Sequence, residues 1–204
     1  MNYLAHLFLS SDSTDLIVGS LLGDFVKGAL GDHYSGDVRL GIELHRRVDA
    51  FTDAHSMVRM SKSHIHPHRR RFAGIAVDIF YDHFLAKNWS LYSPLSLEDF
   101  SHCVYRALEE RRDILPDRLK HSLPAMIEND WLMKYRELRA IEAILVRTSR
   151  RLRRENPVAQ TMVDLLTSYD DLETEFRSFF PDLIRFVEEY KNQHHRERNH
   201  YEVA

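Results

Sequence analysis

Apolar positions along this chain recur every three to four residues and almost nowhere alternate. The first such stretch follows Asp12-Ser13-Thr14-Asp15, which offers N-cap side chains and an acid for a first helical turn. Behind it Ile17, Leu21 and Phe25 fall at i, i+4 and i+8, with Val18, Leu22 and Val26 beside them. One broad apolar helical face is predicted, ended by Gly28 and Gly31. Leu40, Leu44, Val48 and Phe51 predict a second helix over 37–53, and Ile75, Ile79 and Phe80 a third over 72–87. A fourth runs from Leu95 to Leu115, capped by Ser96 with Glu98 and Asp99 behind it, and stopped before Pro116. Pro124 opens a shorter segment to Trp131. Leu138 to Leu152, Pro157 to Ser168 and Pro181 to Lys191 complete the set, with proline read as a marker of the first turn. Asn-Gly and Asp-Gly turns do not occur and the β-branched residues are scattered. The pattern predicts an all-α fold of seven to nine helices.

No linker rich in Gly, Ser or Pro divides the 204 residues, so one domain over 1–192 is expected. A polar tail, 193–204, should fray around His194-His195-Arg196-Glu197-Arg198-Asn199-His200. The 28 basic and 31 acidic residues leave a formal charge of −3, too little positive charge to coat a nucleic acid. No apolar run is long enough to span a membrane. Met1 to Ser10 is apolar but lacks the basic leader and the length of a secretory signal. The single cysteine, Cys103, precludes an intramolecular disulfide and fits a reducing compartment, so a cytoplasmic protein is expected.

What changes this ordinary picture is the placement of acids and imidazoles inside apolar faces. His45 and Asp49 are four apart, on a face that borders the Leu44–Val48–Phe51 stripe. Asp78 and Asp82 share a face beside Ile75 and Ile79, with His83 next in sequence. Asp24 falls on the helical side of Ile17 and Leu21, next to Phe25, and His6 sits inside Leu4-Ala5-His6-Leu7-Phe8-Leu9. Any one of these fits a satisfied structural residue. Three successive apolar faces that each carry an acid point instead to a divalent-cation site, because a buried carboxylate needs a partner or a cation. Phosphate-cradling glycine loops and the Gly-x-Ser-x-Gly elbow are absent. His102 and Cys103 are adjacent and do not face each other on a helix. Two basic runs, His64 to Arg71 and Arg150 to Arg154, read as solvated surface, and the first also suits a phosphate or an acidic partner.

The opening Met1-Asn2-Tyr3-Leu4-Ala5-His6-Leu7, the segment Gly23 to Gly28, and Leu44-His45-Arg46-Arg47-Val48-Asp49 through Asp53 resemble the acyl carrier protein phosphodiesterases. Asp78 to Phe84, Trp89, and Trp131-Leu132-Met133-Lys134-Tyr135-Arg136 fit as well, so the resemblance covers residues 1–190. It implies an all-helical enzyme, distantly related to the His-Asp metal-dependent phosphohydrolases. Such an enzyme removes the 4′-phosphopantetheine arm from holo acyl carrier protein with a divalent cation, Mn²⁺ or Mg²⁺. The adjacent His-Asp pair of that wider group is reversed here as Asp82-His83, so its ligands do not transfer by motif. The expected metal ligands are Asp24, His45, Asp49, Asp78 and Asp82. Asp24, Asp82, His6 and His83 are expected to serve water activation or protonation of the leaving serine. Arg46 would clamp phosphate, and Arg46 or Arg47 together with Arg69, Arg70 and Arg71 would bind and steer the acidic carrier. Two further readings compete: a His-Asp-type phosphohydrolase acting on a nucleotide, and a non-catalytic helical adaptor for acidic proteins.

Overall fold

Ten α-helices and no strand occur among the described residues, which are 2–202 of the computed structural model apart from 32, 35 and 153, with backbone alone at 195 and 197–202. In chain order they are α1 (Tyr3–Leu9), α2 (Thr14–Leu22), α3 (Gly36–Ala54), α4 (Ser56–His64) and α5 (Ala73–Lys87). Then come α6 (Leu97–Glu110), α7 (Asp117–Glu128), α8 (Leu138–Arg151), α9 (Met162–Thr167) and α10 (Tyr169–Glu202). The all-α class holds, and the count exceeds the seven to nine expected for local reasons. The seven residues of α1 are too uniformly apolar to show a stripe, and α4 buries only Val58 and Ser61.

Pro124 and Pro181, read from sequence as helix starts, both lie inside helices. An interior proline forfeits a backbone bond, at about 3 kcal/mol. Around Pro181, Phe176, Phe179, Phe180 and Leu183 are fully buried. At roughly 2 kcal/mol for each such side chain, that burial outweighs the lost bond. The expected fourth helix stops at Glu110, and a separate 3₁₀ turn covers Arg112–Ile114. The polar tail expected from residue 193 falls on backbone that continues α10 to Glu202, and residues 203–204 lie outside the described residues.

Three features fix how α1, α3 and α5 sit. First, α2 and α3 cross at glycines: a Cβ on Gly19 would stand 2.1 Å from the Val38 carbonyl oxygen, and one on Gly41 2.6 Å from that of Leu16. Second, α1 is held at its N-terminus by α5. The Leu4 and Ala5 amides donate to the Asp82 carboxylate at 2.7 and 3.1 Å, satisfying two donors that no α1 carbonyl can reach. Third, α4, α5 and α10 share a buried polar link, in which Ser61 Oγ lies 2.7 Å from Tyr81 Oη while Glu175 bonds Ser61 and His64. No described helix is long and apolar enough to cross a membrane.

Candidate active site

α1 and α3 bring His6, His45 and Asp49 together. His45 and Asp49 are one turn apart on α3, and His45 Nε2 lies 3.3 Å from Asp49 Oδ2. His6 Nε2 approaches the other oxygen, Oδ1, at 3.1 Å. One nitrogen from each ring and one carboxylate oxygen lie within 4.8 Å of one another. Ser20 Oγ donates to the His6 carbonyl at 3.1 Å and so ties α2 to this end of α1. The His45 ring fills the space over Gly23, where a Cβ would come within 2.3 Å of its Cγ. Asp24, the next residue, places Oδ1 3.7 Å from His45 Nε2.

Both rings are buried while Asp49 is half-exposed. Burial pushes His6 down to about 3, against the pull of its bond to Asp49. Burial alone raises Asp49, but hydrogen bonds from His45 and His6 outweigh it and leave the carboxyl well below the usual range. The arrangement at neutral pH is therefore a neutral His6 ring beside an ionised Asp49. The Nδ1 atoms of both rings are buried without a hydrogen-bond partner among the described residues.

The other anticipated residues fall in different places. Asp24 and Asp78 line a cavity of about 630 Å³ between α1, α5, α6, α7 and α8. Burial raises the Asp78 carboxyl. Asp82 is fully buried at the N-terminus of α1, outside the trio and the cavity wall, and burial pushes it up to about 7 against its two amide bonds. His83 has both nitrogens engaged: Nδ1 donates to the Tyr135 carbonyl at 2.8 Å, so Nε2 accepts from Tyr169 Oη at 2.7 Å. Arg46 donates to the Val26 carbonyl at 3.0 Å, and Arg47 packs over the Tyr190 ring. Arg69 forks onto Asp164 with two bonds of 2.8 Å, Arg70 donates to the Ser63 carbonyl, and Arg71 is exposed.

Of the cations that line the cavity, sequence reasoning passed over Arg118 and Arg147 and read Arg151, within the run Arg150 to Arg154, as solvated surface. Arg147 and Arg151 are four apart on an exposed helical face, a pattern any solvated helix shows. The one usable signal was Trp131, over whose ring the Arg147 guanidinium lies at 4.9 Å.

A family model for "Acyl carrier protein phosphodiesterase" matches residues 1–183. A protein of that name from Klebsiella pneumoniae subsp. pneumoniae is 34% identical over 189 residues, covering 92% of this chain and 98% of its own. One from Serratia proteamaculans is 35% identical over 186 residues, 91% of this chain and 96% of its own. One from Escherichia coli O45:K1 is 36% identical over 188 residues, 90% and 96%. No solved structure matches. With agreement that runs nearly end to end in both partners, the chain belongs to the acyl carrier protein phosphodiesterase family.

Proposed function

We propose that this protein hydrolyses the phosphodiester joining 4′-phosphopantetheine to a serine of holo acyl carrier protein, giving apo carrier and free 4′-phosphopantetheine. The observation that carries the reading is the convergence of His6, His45 and Asp49 beside a cavity to whose wall Asp24 also belongs. The trio fits a divalent cation: two imidazole nitrogens and a carboxylate oxygen lie within 4.8 Å, and two stacked rings cannot both be charged cheaply. A mixed nitrogen and oxygen set favours Mn²⁺ over Mg²⁺. When bound, such a cation acidifies a water and polarises the phosphoryl oxygens.

The chain's own side chains supply the rest. Asp49 stays ionised and orients both imidazoles. Asp24, an exposed residue of the cavity wall, would accept a proton from the attacking water. Asp78, whose carboxyl burial raises, is the cavity acid better suited to return a proton to the leaving serine. The apolar part of the wall, Leu108, Leu119, Met126 and Ile144 among it, would take the pantetheine chain. The exposed thiol of Cys103 accords with a cytoplasmic setting.

The test is metal depletion. Protein stripped with chelator should release no 4′-phosphopantetheine from holo carrier, and Mn²⁺ should restore release more fully than Mg²⁺. Stoichiometric Mn²⁺ binding, read by electron paramagnetic resonance, should vanish in His45→Ala and His6→Ala. Full turnover by protein verified free of metal would overturn the reading.

A further inference from the structure

Three guanidinium groups line the cavity from α7 and α8, and no ion pair to a described carboxylate engages them. Arg118, Arg147 and Arg151 line the wall, and none makes an ion pair among the described residues. Elsewhere Arg39, Arg69, Arg111, Arg112 and Arg185 are each paired with an acid. Arg46 and Arg70 make no ion pair among the described residues either, but they donate to backbone carbonyls; what sets the three apart is their shared cavity wall, where like charges favour an anion among them. Arg147 Cζ lies 4.9 Å from the Trp131 ring centroid, a cation–π contact that uses none of the N–H donors. Arg151 lies one turn later on the same helix. Arg118 and Arg151 act electrostatically on the Tyr3 hydroxyl, as Asp24 does, and Arg151 also hydrogen-bonds it with part of its donor set, so these cations and Asp24 border one stretch of the cavity.

We propose that Arg118, Arg147 and Arg151 form a phosphate subsite, which holds the phosphoryl end of the substrate and keeps hold of the phosphate monoester that hydrolysis releases. The proposal rests on reading the cavity as the site of the pantetheine arm. A guanidinium fork matches two phosphoryl oxygens at once, which a lysine cannot do. Arg46, the clamp expected from sequence, already donates to the Val26 carbonyl. The product monoester carries about one negative charge more than the diester near neutral pH, so this subsite holds product more tightly than substrate. The enzyme should therefore be inhibited by its own product, and by inorganic phosphate more weakly.

The experiment is calorimetric titration of the metal-free full chain with 4′-phosphopantetheine, with pantetheine lacking the phosphate, and with inorganic phosphate. The parent should bind 4′-phosphopantetheine at least about tenfold more tightly than pantetheine. Replacing Arg118, Arg147 and Arg151 together by Ala should erase that preference while pantetheine affinity stays. All three residues are exposed, so the fold should tolerate the change; Arg147→Gln alone, expected to lose part of the preference, keeps the test readable if it does not. Arg70→Ala with Arg71→Ala should leave the preference intact. The subsite is overturned if the parent shows no preference, if the preference survives in the triple variant, or if the Arg70 and Arg71 pair abolishes it. Turnover of holo carrier is measured in parallel. No turnover with an intact preference removes the proposed reaction and leaves the subsite, whereas normal turnover without the preference removes the subsite alone.

Discussion

The rings of His6 and His45 stack face to face, their centroids 3.8 Å apart and their planes 15° from parallel. Two imidazolium cations at that separation in a buried site would repel strongly, so the pair carries at most one charge. The stack exists because two unrelated constraints meet. α1 is pinned by Asp82 at its start, and α3 is drawn against α2 through glycines. The chemistry of the trio thus depends on residues that touch none of its ligand atoms.

Gly23 offers the most direct test of that dependence. Its backbone, at φ −52° and ψ −34°, is ordinary for any residue, but an alanine Cβ would lie 2.3 Å from His45 Cγ and 2.6 Å from Cβ and Cδ2. Gly23→Ala should displace the imidazole, weaken Mn²⁺ binding on the order of 10- to 100-fold, and cost about 1–3 kcal/mol of stability. Titration of Mn²⁺ beside a urea melt reads both. A folded variant with parental Mn²⁺ affinity would show that the seat of His45 does not matter.

Asp82→Ala should act on the fold before it acts on the reaction. Removing the carboxylate strands the Leu4 and Ala5 amides in a fully buried setting. We expect a loss of about 2–3 kcal/mol, seen as a lower urea midpoint with an unchanged slope. Parental stability combined with abolished turnover would return Asp82 to the catalytic machinery.

These residues also show how far the sequence was legible. The 3.6-residue period placed α3, α5 and α8 within a residue or two, and the Ser13 and Ser96 caps bond where they were expected. His6, His45 and Asp49 stood out as polar groups in apolar faces, and the fold joins them. Asp82 and His83 gave the same signal for another reason. Their partners are Leu4 and Ala5 amides 78 and 77 residues away, and Tyr135 and Tyr169, 52 and 86 residues away. A local pattern reports that a buried polar side chain needs a partner; it does not say whether a helix end, a tyrosine or a cation provides one.

His83 should leave its mark on stability as a function of pH. Burial lowers its folded value below the ordinary 6.5, against the bond to the Tyr135 carbonyl, which favours the charged ring. Below about pH 6.5 the unfolded chain takes up a proton that the folded one refuses, so this contribution is present above that pH and is lost as pH falls. The slope for one such group is at most about 1.4 kcal/mol per pH unit. Asp82 runs in the opposite sense: a carboxyl raised to about 7 stabilises the fold at low pH and loses that contribution as pH rises from about 4 to 7. The comparison must therefore be a difference. Between pH 7 and pH 5 the parent should lose more stability than His83→Gln, by urea melts in matched buffers. Equal losses would mean that His83 titrates normally in the fold.

The three consecutive arginines Arg69, Arg70 and Arg71 should separate into two behaviours. Arg69 is committed inward, with both bonds on an Asp164 that is only 6% exposed and that also accepts the His66 amide. Arg69→Ala leaves that carboxylate without its cation, at a cost of about 3 kcal/mol, and this should lower the melting temperature at every salt concentration. Arg70 and Arg71 are exposed, and Arg70 donates to the Ser63 carbonyl. Replacing both by Ala should move stability by no more than about 0.5 kcal/mol. If they steer an acidic carrier, their effect reaches only about a Debye length, roughly 8 Å at physiological salt, and acts on encounter more than on the bound complex. Five residues of helix, about 7.5 Å, separate Ala73 at the start of α5 from Asp78 on the cavity wall, so the run adjoins the proposed site. The parent's kcat/KM for holo carrier should fall steeply with ionic strength, and the double variant should flatten that fall with little change in kcat. Release from a small pantetheine phosphodiester should depend much less on salt in either protein. A double variant that keeps the parental salt profile would move carrier docking to another face of the molecule.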